Sequence, residues 1–307
     1  MKLKPSLTYD EQVDHLINEH NLTISNKENA KKILATVNYY RLSGYGIGLT
    51  VDKERKKYLD GTSIEDLFKL YCFDSQFKNC LIHTIEQLEI QLRTQIAYLL
   101  ATQYGPEGYM DINNFQSSSS KNIKNIHNSI LQKLNLEIDR QKNVPFVKHH
   151  LTKYKGHFPI WVSVELLTFG NLSSLFSILK TEDKKKIAAL YNTSPSYFNS
   201  WILSLVEVRN ICAHYTRLYN LPLKQTPRLY GENKVYRHDI NKIFPVLLVI
   251  KRMLNSNEQW ESLFRDLKTT INKYLPVIRF DYMGFPSNWQ EVLSGLPNST
   301  KPENQYE

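Results

Sequence analysis

Cysteine is scarce in this chain. Cys72, Cys80 and Cys212 are its only three, and no paired spacing links them. That leaves no disulfide framework and predicts free thiols in a reducing cytosol. Long apolar runs are missing too. The longest, Ile243 to Ile250, is far too short to span a bilayer and contains Pro245. The first residues, MKLKPSLTYDEQ, lack the apolar core of a signal peptide. A soluble, cytoplasmic protein with no membrane partner is expected. No repeat period, P-loop, nucleophile elbow or zincin motif occurs. His149, His150 and His157 lie close together without a helical metal pair or a cysteine partner, so neither a metal nor another cofactor is expected. Gly44, Gly46 and Gly48 follow a helix rather than a strand and read as a turn, not a phosphate loop.

Acidic residues are outnumbered. Thirty Asp and Glu face 39 Lys and Arg, a net charge of +9. This balance favours an anionic partner such as nucleic acid. The basic residues are dispersed or in short runs, Lys53 to Lys57 and Lys184 to Lys186, and a solvated surface accounts for them equally well.

What is present is helical periodicity. A first helix spans residues 8 to 20, with Thr8 and Glu11 forming a capping box. A second, Asn26 to Arg41, carries Ile33, Leu34 and Val37 inward and stops near Gly44. Residues 46 to 60 suit a loop or short hairpin. Ser63 then caps the longest helix, to Tyr104, whose core stripe is Leu67, Leu70, Phe77, Leu81, Ile85, Leu88, Leu92, Ile96 and Leu99. Glu86, Glu89 and Arg93 share another face. They are either a surface pair at i,i+4, Glu89 with Arg93, or a polar cluster that meets the one on the helix opening at Ser194. After a polar loop at Ser117 to Ser120, helices are expected near 121–142, 144–152, 160–168, 171–180 and 182–191, then at 238–254 and 258–273. The last ten residues are expected to fray. The expected division is an N-terminal helical region (1–60), a core (61–220) and a C-terminal helical region (221–307).

The chain is organised around one stretch, Ser194 to Asn220. Ser194 and Pro195 open a helix. Phe198, Trp201, Leu205, Val208, Cys212 and Tyr215 form its core-facing seam. A second face carries Leu203, Glu207, Asn210, His214 and Arg217, beside Ile202, Val206, Arg209 and Ala213. A helix apolar on two sides is buried on two sides, here against the core and against another helix or a second subunit.

Arg209-Asn210-Ile211-Cys212-Ala213-His214 is the only stretch matching an arginine followed by four to six residues and a histidine. One reading is structural: the two side chains satisfy a helix end and its dipole. The other is chemical. Cleaving RNA without a metal requires proton transfer at the 2′-hydroxyl or the leaving oxygen, which histidine supplies near neutral pH. It also requires fixed positive charge on the phosphate, which arginine supplies. Asn210 lies one turn before His214 and is placed to orient the imidazole or donate to phosphate. Five residues separate Arg209 from His214, roughly 140° around an ideal helix. They converge on one phosphate through helix distortion, a wrapping arginine or a dimer, of which a homodimer is preferred.

The chain resembles the Abi-like family of bacterial abortive-infection proteins (the AbiD and AbiF group), whose core is similar to HEPN-type ribonucleases. The resemblance rests on Lys4 to Thr8, Asn38 to Tyr45, Gly61 to Ser63, Leu88 to Ile90 with Arg93 to Ala97, Pro159 to Trp161, Glu165 to Gly170, Arg209 to His214, and Met283 to Pro286 with Trp289. It implies an all-α fold, a HEPN-like helical bundle with N- and C-terminal helical extensions. It further implies a metal-independent endoribonuclease toxin of phage defence, acting at a cleft shared by two copies. Arg209, His214 and Asn210 carry the catalytic positions, with Glu89, Arg93 and Arg217 as supports. Tyr40 and Arg41 are expected to touch RNA, and a structured noncoding RNA is a further expected partner. Two alternatives stand beside this: a non-catalytic RNA-binding or regulatory HEPN protein, and an interaction protein acting only by dimerising.

Overall fold

The computed structural model describes residues 5–52, 57–116, 119–254 and 256–295. Lys4, residues 53–56 of the basic run, residues 117–118 of the polar loop and the last ten residues lie outside the described residues.

The fold is all-α, with one two-stranded sheet among the described residues. Its spine is α4, Ile64–Tyr104, an unbroken helix of 41 residues, about 60 Å long at 1.5 Å per residue. Ser63 starts it by accepting from Asp66 N–H, and Gly105 follows its last turn with a φ of 82°. Every residue of the expected α4 stripe is buried.

The N-terminal helices α1 (Tyr9–Asn18), α2 (Lys27–Thr36) and α3 (Tyr39–Ser43) form a small apolar cluster with the first turn of α4. The capping box at Thr8 and Glu11 is formed. The second expected helix is broken in two. Val37 is extended (φ −133°, ψ 112°), and Asn38 then caps α3 through Arg41 N–H. An Asx side chain competes for backbone donors, so Asn38 ends one helix and begins another. β1 (Thr50–Asp52) and β2 (Lys57–Tyr58) pair antiparallel. Gly44 to Gly48 is the expected turn. A Cβ at Gly46 would strike the Tyr58 ring, and one at Gly48, whose φ is 89°, would strike the Tyr282 hydroxyl.

Beyond α4 come α5 (Lys121–Arg140), α6 (Pro145–Lys153), α7 (Ile160–Ser163), α8 (Phe169–Ile178), α9 (Thr181–Ala189) and α10 (Pro195–Ala213). Then α11 (Ile243–Met253), α12 (Asn257–Tyr274) and α13 (Trp289–Ser294) follow. α10 and α12 both lie along α4, and α8 packs on α5 and α10. One buried cluster runs from Tyr45 to Leu293 and includes the seams of α4, α10 and α11. The helix expected over 160–168 is shorter, because a 3-10 turn at Val164–Leu166 follows α7 and Thr168 caps α8. α11 begins at Ile243 rather than near 238. Pro245 has no N–H to donate, and it sits in the first turn, where none is needed.

Candidate functional site

α10 packs by the expected seam only as far as Cys212. Phe198, Trp201, Leu205, Val208 and Cys212 are buried, whereas Tyr215 is 72% exposed. The reason is local. α10 ends at Ala213, His214 is its cap, and Tyr215 takes a left-handed backbone with φ 56°. Tyr215 N–H bonds Cys212 O at 3.3 Å and Thr216 N–H bonds Ile211 O at 3.0 Å, the paired bonds of a Schellman ending. The second face is also less apolar than expected. Ile202 is buried inside the protein, Val206 is half-buried, and Leu203 and Asn210 are exposed.

Arg209 projects from α10 toward α4. Its Nε lies 3.4 Å from Glu89 Oε2, and its side chain is 31% exposed. The same carboxylate accepts from Arg93 Nη2 through Oε1 at 2.9 Å. Arg93 Nη2 also donates to Leu167 O at 2.9 Å, and its Nη1 lies 3.6 Å from Glu165 Oε2. Glu89 is buried, so the Glu89–Arg93 pair is not a surface pair but the meeting of two polar clusters. It joins α4, α10 and the turn before α8. A carboxylate in this position fixes where Arg209 lies, while the exposed edge of the guanidinium remains available to an anion. Glu86 shares the helix face but is exposed.

His214 is exposed at the end of α10, with its N–H bonded to Asn210 O at 3.0 Å. α10 runs without a break to Ala213, so helix distortion does not bring Arg209 and His214 together.

A second network, unforeseen in the sequence, holds the strap that follows His214. Asp74 is 1% exposed. Its Oδ1 accepts from Leu218 N–H at 3.0 Å and Tyr219 N–H at 2.6 Å. Its Oδ2 accepts from Tyr45 Oη at 2.9 Å and pairs with Lys78 Nζ at 2.9 Å. Lys78 donates onward to Thr216 O at 2.8 Å, and Arg41 Nη1 donates to Tyr215 O at 2.6 Å. Arg217 donates from Nη1 to Tyr219 O and, at 3.0 Å, to Asn220 O. Burial holds its guanidinium below the usual arginine range, an effect opposed by Asp74, Tyr45 and Tyr219. Burial and then Asp74 push the Tyr45 phenol upward. Arg217 thus anchors the strap, and Arg41 ties α3 to the residue after His214. Tyr40, next to Arg41, is 91% exposed.

Asp74 and Lys78 sit at i,i+4 within the apolar stripe of α4. Two opposite charges inside a core stripe were the available signal, because buried charges are kept only when paired. Among the described residues no three His, Cys, Asp or Glu side chains are grouped to hold a metal ion. No helix of the described residues is long and apolar enough to cross a membrane.

Fold and site therefore define an all-α protein with an arginine–carboxylate cluster beside a histidine-capped helix end. The chain belongs to the Abi-like protein family, whose model matches residues 32–220, a span that contains every one of these side chains. Comparison with curated proteins and with solved structures returned no match.

Proposed function

We propose that this protein is an endoribonuclease of abortive infection, a toxin used in defence against phage, built on a HEPN-type core. Membership of the Abi-like family supports the setting. The observation that carries the chemistry is the placement of Arg209 by buried Glu89 on the same helix that ends in exposed His214. Arg209 holds the scissile phosphate and offsets the charge that develops on it. His214 moves the proton at the 2′-hydroxyl or at the leaving 5′-oxygen. The 2′-oxygen attacks phosphorus, the P–O5′ bond breaks, and the products are a 2′,3′-cyclic phosphate and a 5′-hydroxyl. These steps use side chains alone. Asn210 lies on the exposed side between the two and contacts the imidazole or the phosphate.

Within one chain the two groups stand on different sides of a regular helix end. We place the complete site between two copies, each providing an arginine for the phosphate and a histidine for the proton. Purified Arg209→Ala and His214→Ala proteins, each inactive alone, are expected to regain part of the cleavage activity when mixed and allowed to exchange. A mixture as inactive as its components overturns the shared site. A second reading, RNA binding without cleavage, is favoured by the ion pair that offsets part of the Arg209 charge. It predicts strong salt-dependent RNA binding with no product.

A further inference from the structure

Tyr215 occupies a position that glycine usually takes. It is the first residue past the cap of α10, with φ 56°, a conformation disfavoured for any residue carrying a Cβ. Packing does not compensate, because the residue is 72% exposed. The backbone is held in place from beneath. Arg41 Nη1 donates to Tyr215 O at 2.6 Å, and Lys78 Nζ donates to Thr216 O at 2.8 Å. A bulky residue kept in left-handed backbone with its ring in solvent is the kind of strain that collects at binding sites. A second exposed tyrosine is linked to this segment through Arg41. Tyr40 precedes Arg41 and is 91% exposed, so Arg41 links the backbone of one exposed tyrosine to the neighbour of the other. His214 adjoins Tyr215 in the chain, and the net charge is +9.

We propose that Tyr215 and Tyr40, on either side of Arg41, form a stacking platform for unpaired nucleobases of single-stranded RNA beside His214. The inference rests on the reading of this site as an RNA site and extends it to a preference for unpaired substrate. Aromatic faces stack on any base, and a flanking guanidinium adds a cation–π or phosphate contact. Bases are free to stack in this way only where RNA is single-stranded. A platform that supplies stacking without base-edge hydrogen bonds selects strandedness rather than sequence.

The test measures binding of two fluorescein-labelled RNAs to the full chain by anisotropy. One is a single-stranded oligoadenylate and the other a duplex, both 2′-O-methylated so that 2′-hydroxyl attack is blocked. Tyr215→Gly keeps the backbone conformation and is expected to hold or raise the melting temperature. It is also expected to weaken single-strand binding on the order of tenfold, with duplex binding unchanged. Tyr215→Phe restores the affinity, and Tyr40→Ala weakens it in the same direction. Three results overturn the platform: no single-strand binding by wild type, wild-type affinity in Tyr215→Gly, or a changed oligomeric state in that variant in place of a changed affinity. The last would mean that a second copy covers the rings. Unmodified RNA separates the two readings. If wild type cleaves and Tyr215→Gly binds and cleaves equally, the platform falls and the ribonuclease stands. If wild type never cleaves but Tyr215→Gly loses affinity, the ribonuclease falls and the platform stands.

Discussion

Glu89 Oε2 lies 3.4 Å from Arg209 Nε, so a buried carboxylate on α4 positions the basic residue expected to bind phosphate on α10. Glu89 also holds Arg93 at 2.9 Å, so both guanidinium groups share its carboxylate.

Glu89→Gln keeps the size and one acceptor but removes the charge. Displacing a group by about 1 Å costs on the order of a hundredfold in rate. Cleavage by Glu89→Gln is therefore expected to fall by about that factor, with RNA binding retained and a native circular dichroism spectrum. Wild-type turnover in this variant would reduce Glu89 to a packing role.

Asp74→Ala removes the partner of buried Lys78 and the acceptor for Leu218 N–H, Tyr219 N–H and Tyr45 Oη. Breaking a buried pair by deleting one partner costs about 3–5 kcal/mol. Urea unfolding is expected to show a loss of that size, against a change within about 0.5 kcal/mol for a substitution at an exposed position away from such networks. A loss below about 1 kcal/mol would show that the network is not holding the strap.

Much of the fold was legible because helix signals are local. Thr8 with Glu11, Ser63 with Asp66, and the apolar stripe of α4 each named an element that the structure contains. The misses lie where a side chain's hydrogen-bond partner decided, a local one for Asn38 and tertiary ones around Tyr215. Asn38 looked like the interior of a helix but caps α3. Tyr215 looked like the end of a seam, yet the Arg41 and Lys78 bonds hold it and Thr216 in a Schellman turn. At the candidate site, Arg209, Asn210 and His214 were singled out by the arginine–histidine spacing, whereas Glu89 and Arg93 were singled out by the family resemblance, since spacing alone allowed a surface pair. The meeting of Glu89 with Arg209 was one of two open readings that spacing did not decide, because 120 positions separate 89 from 209 and periodicity carries no information about which helices touch. Arg217 faces Tyr219 O and Asn220 O and so anchors the strap.

Burial pushes the Cys212 thiol up to about 12, and burial also raises Cys72 and Cys80. Only the thiolate alkylates at a useful rate. Iodoacetamide at pH 8 is expected to leave Cys212 unmodified in the native protein and to modify all three cysteines in urea, as read by peptide mass. Rapid native labelling of Cys212 would mean that α10 opens readily.

Burial also pushes the Tyr191 and Tyr219 phenols up to about 12, from an ordinary value of 10.0. The folded state therefore favours the protonated phenols. Their contribution is complete below pH 10 and is lost as pH rises toward 12, at about 1.4 kcal/mol per pKa unit for each group. The melting temperature is expected to drop over that window, and Tyr219→Phe is expected to drop less. Equal pH dependence in the two proteins would exclude Tyr219 as a contributor.

The most direct measurement incubates wild type and His214→Ala with total bacterial RNA in EDTA and maps the new ends. New 2′,3′-cyclic phosphate and 5′-hydroxyl ends with wild type, absent with a folded His214→Ala, are the expected result. Identical RNA ends with the two proteins would contradict the assignment of His214 to proton transfer.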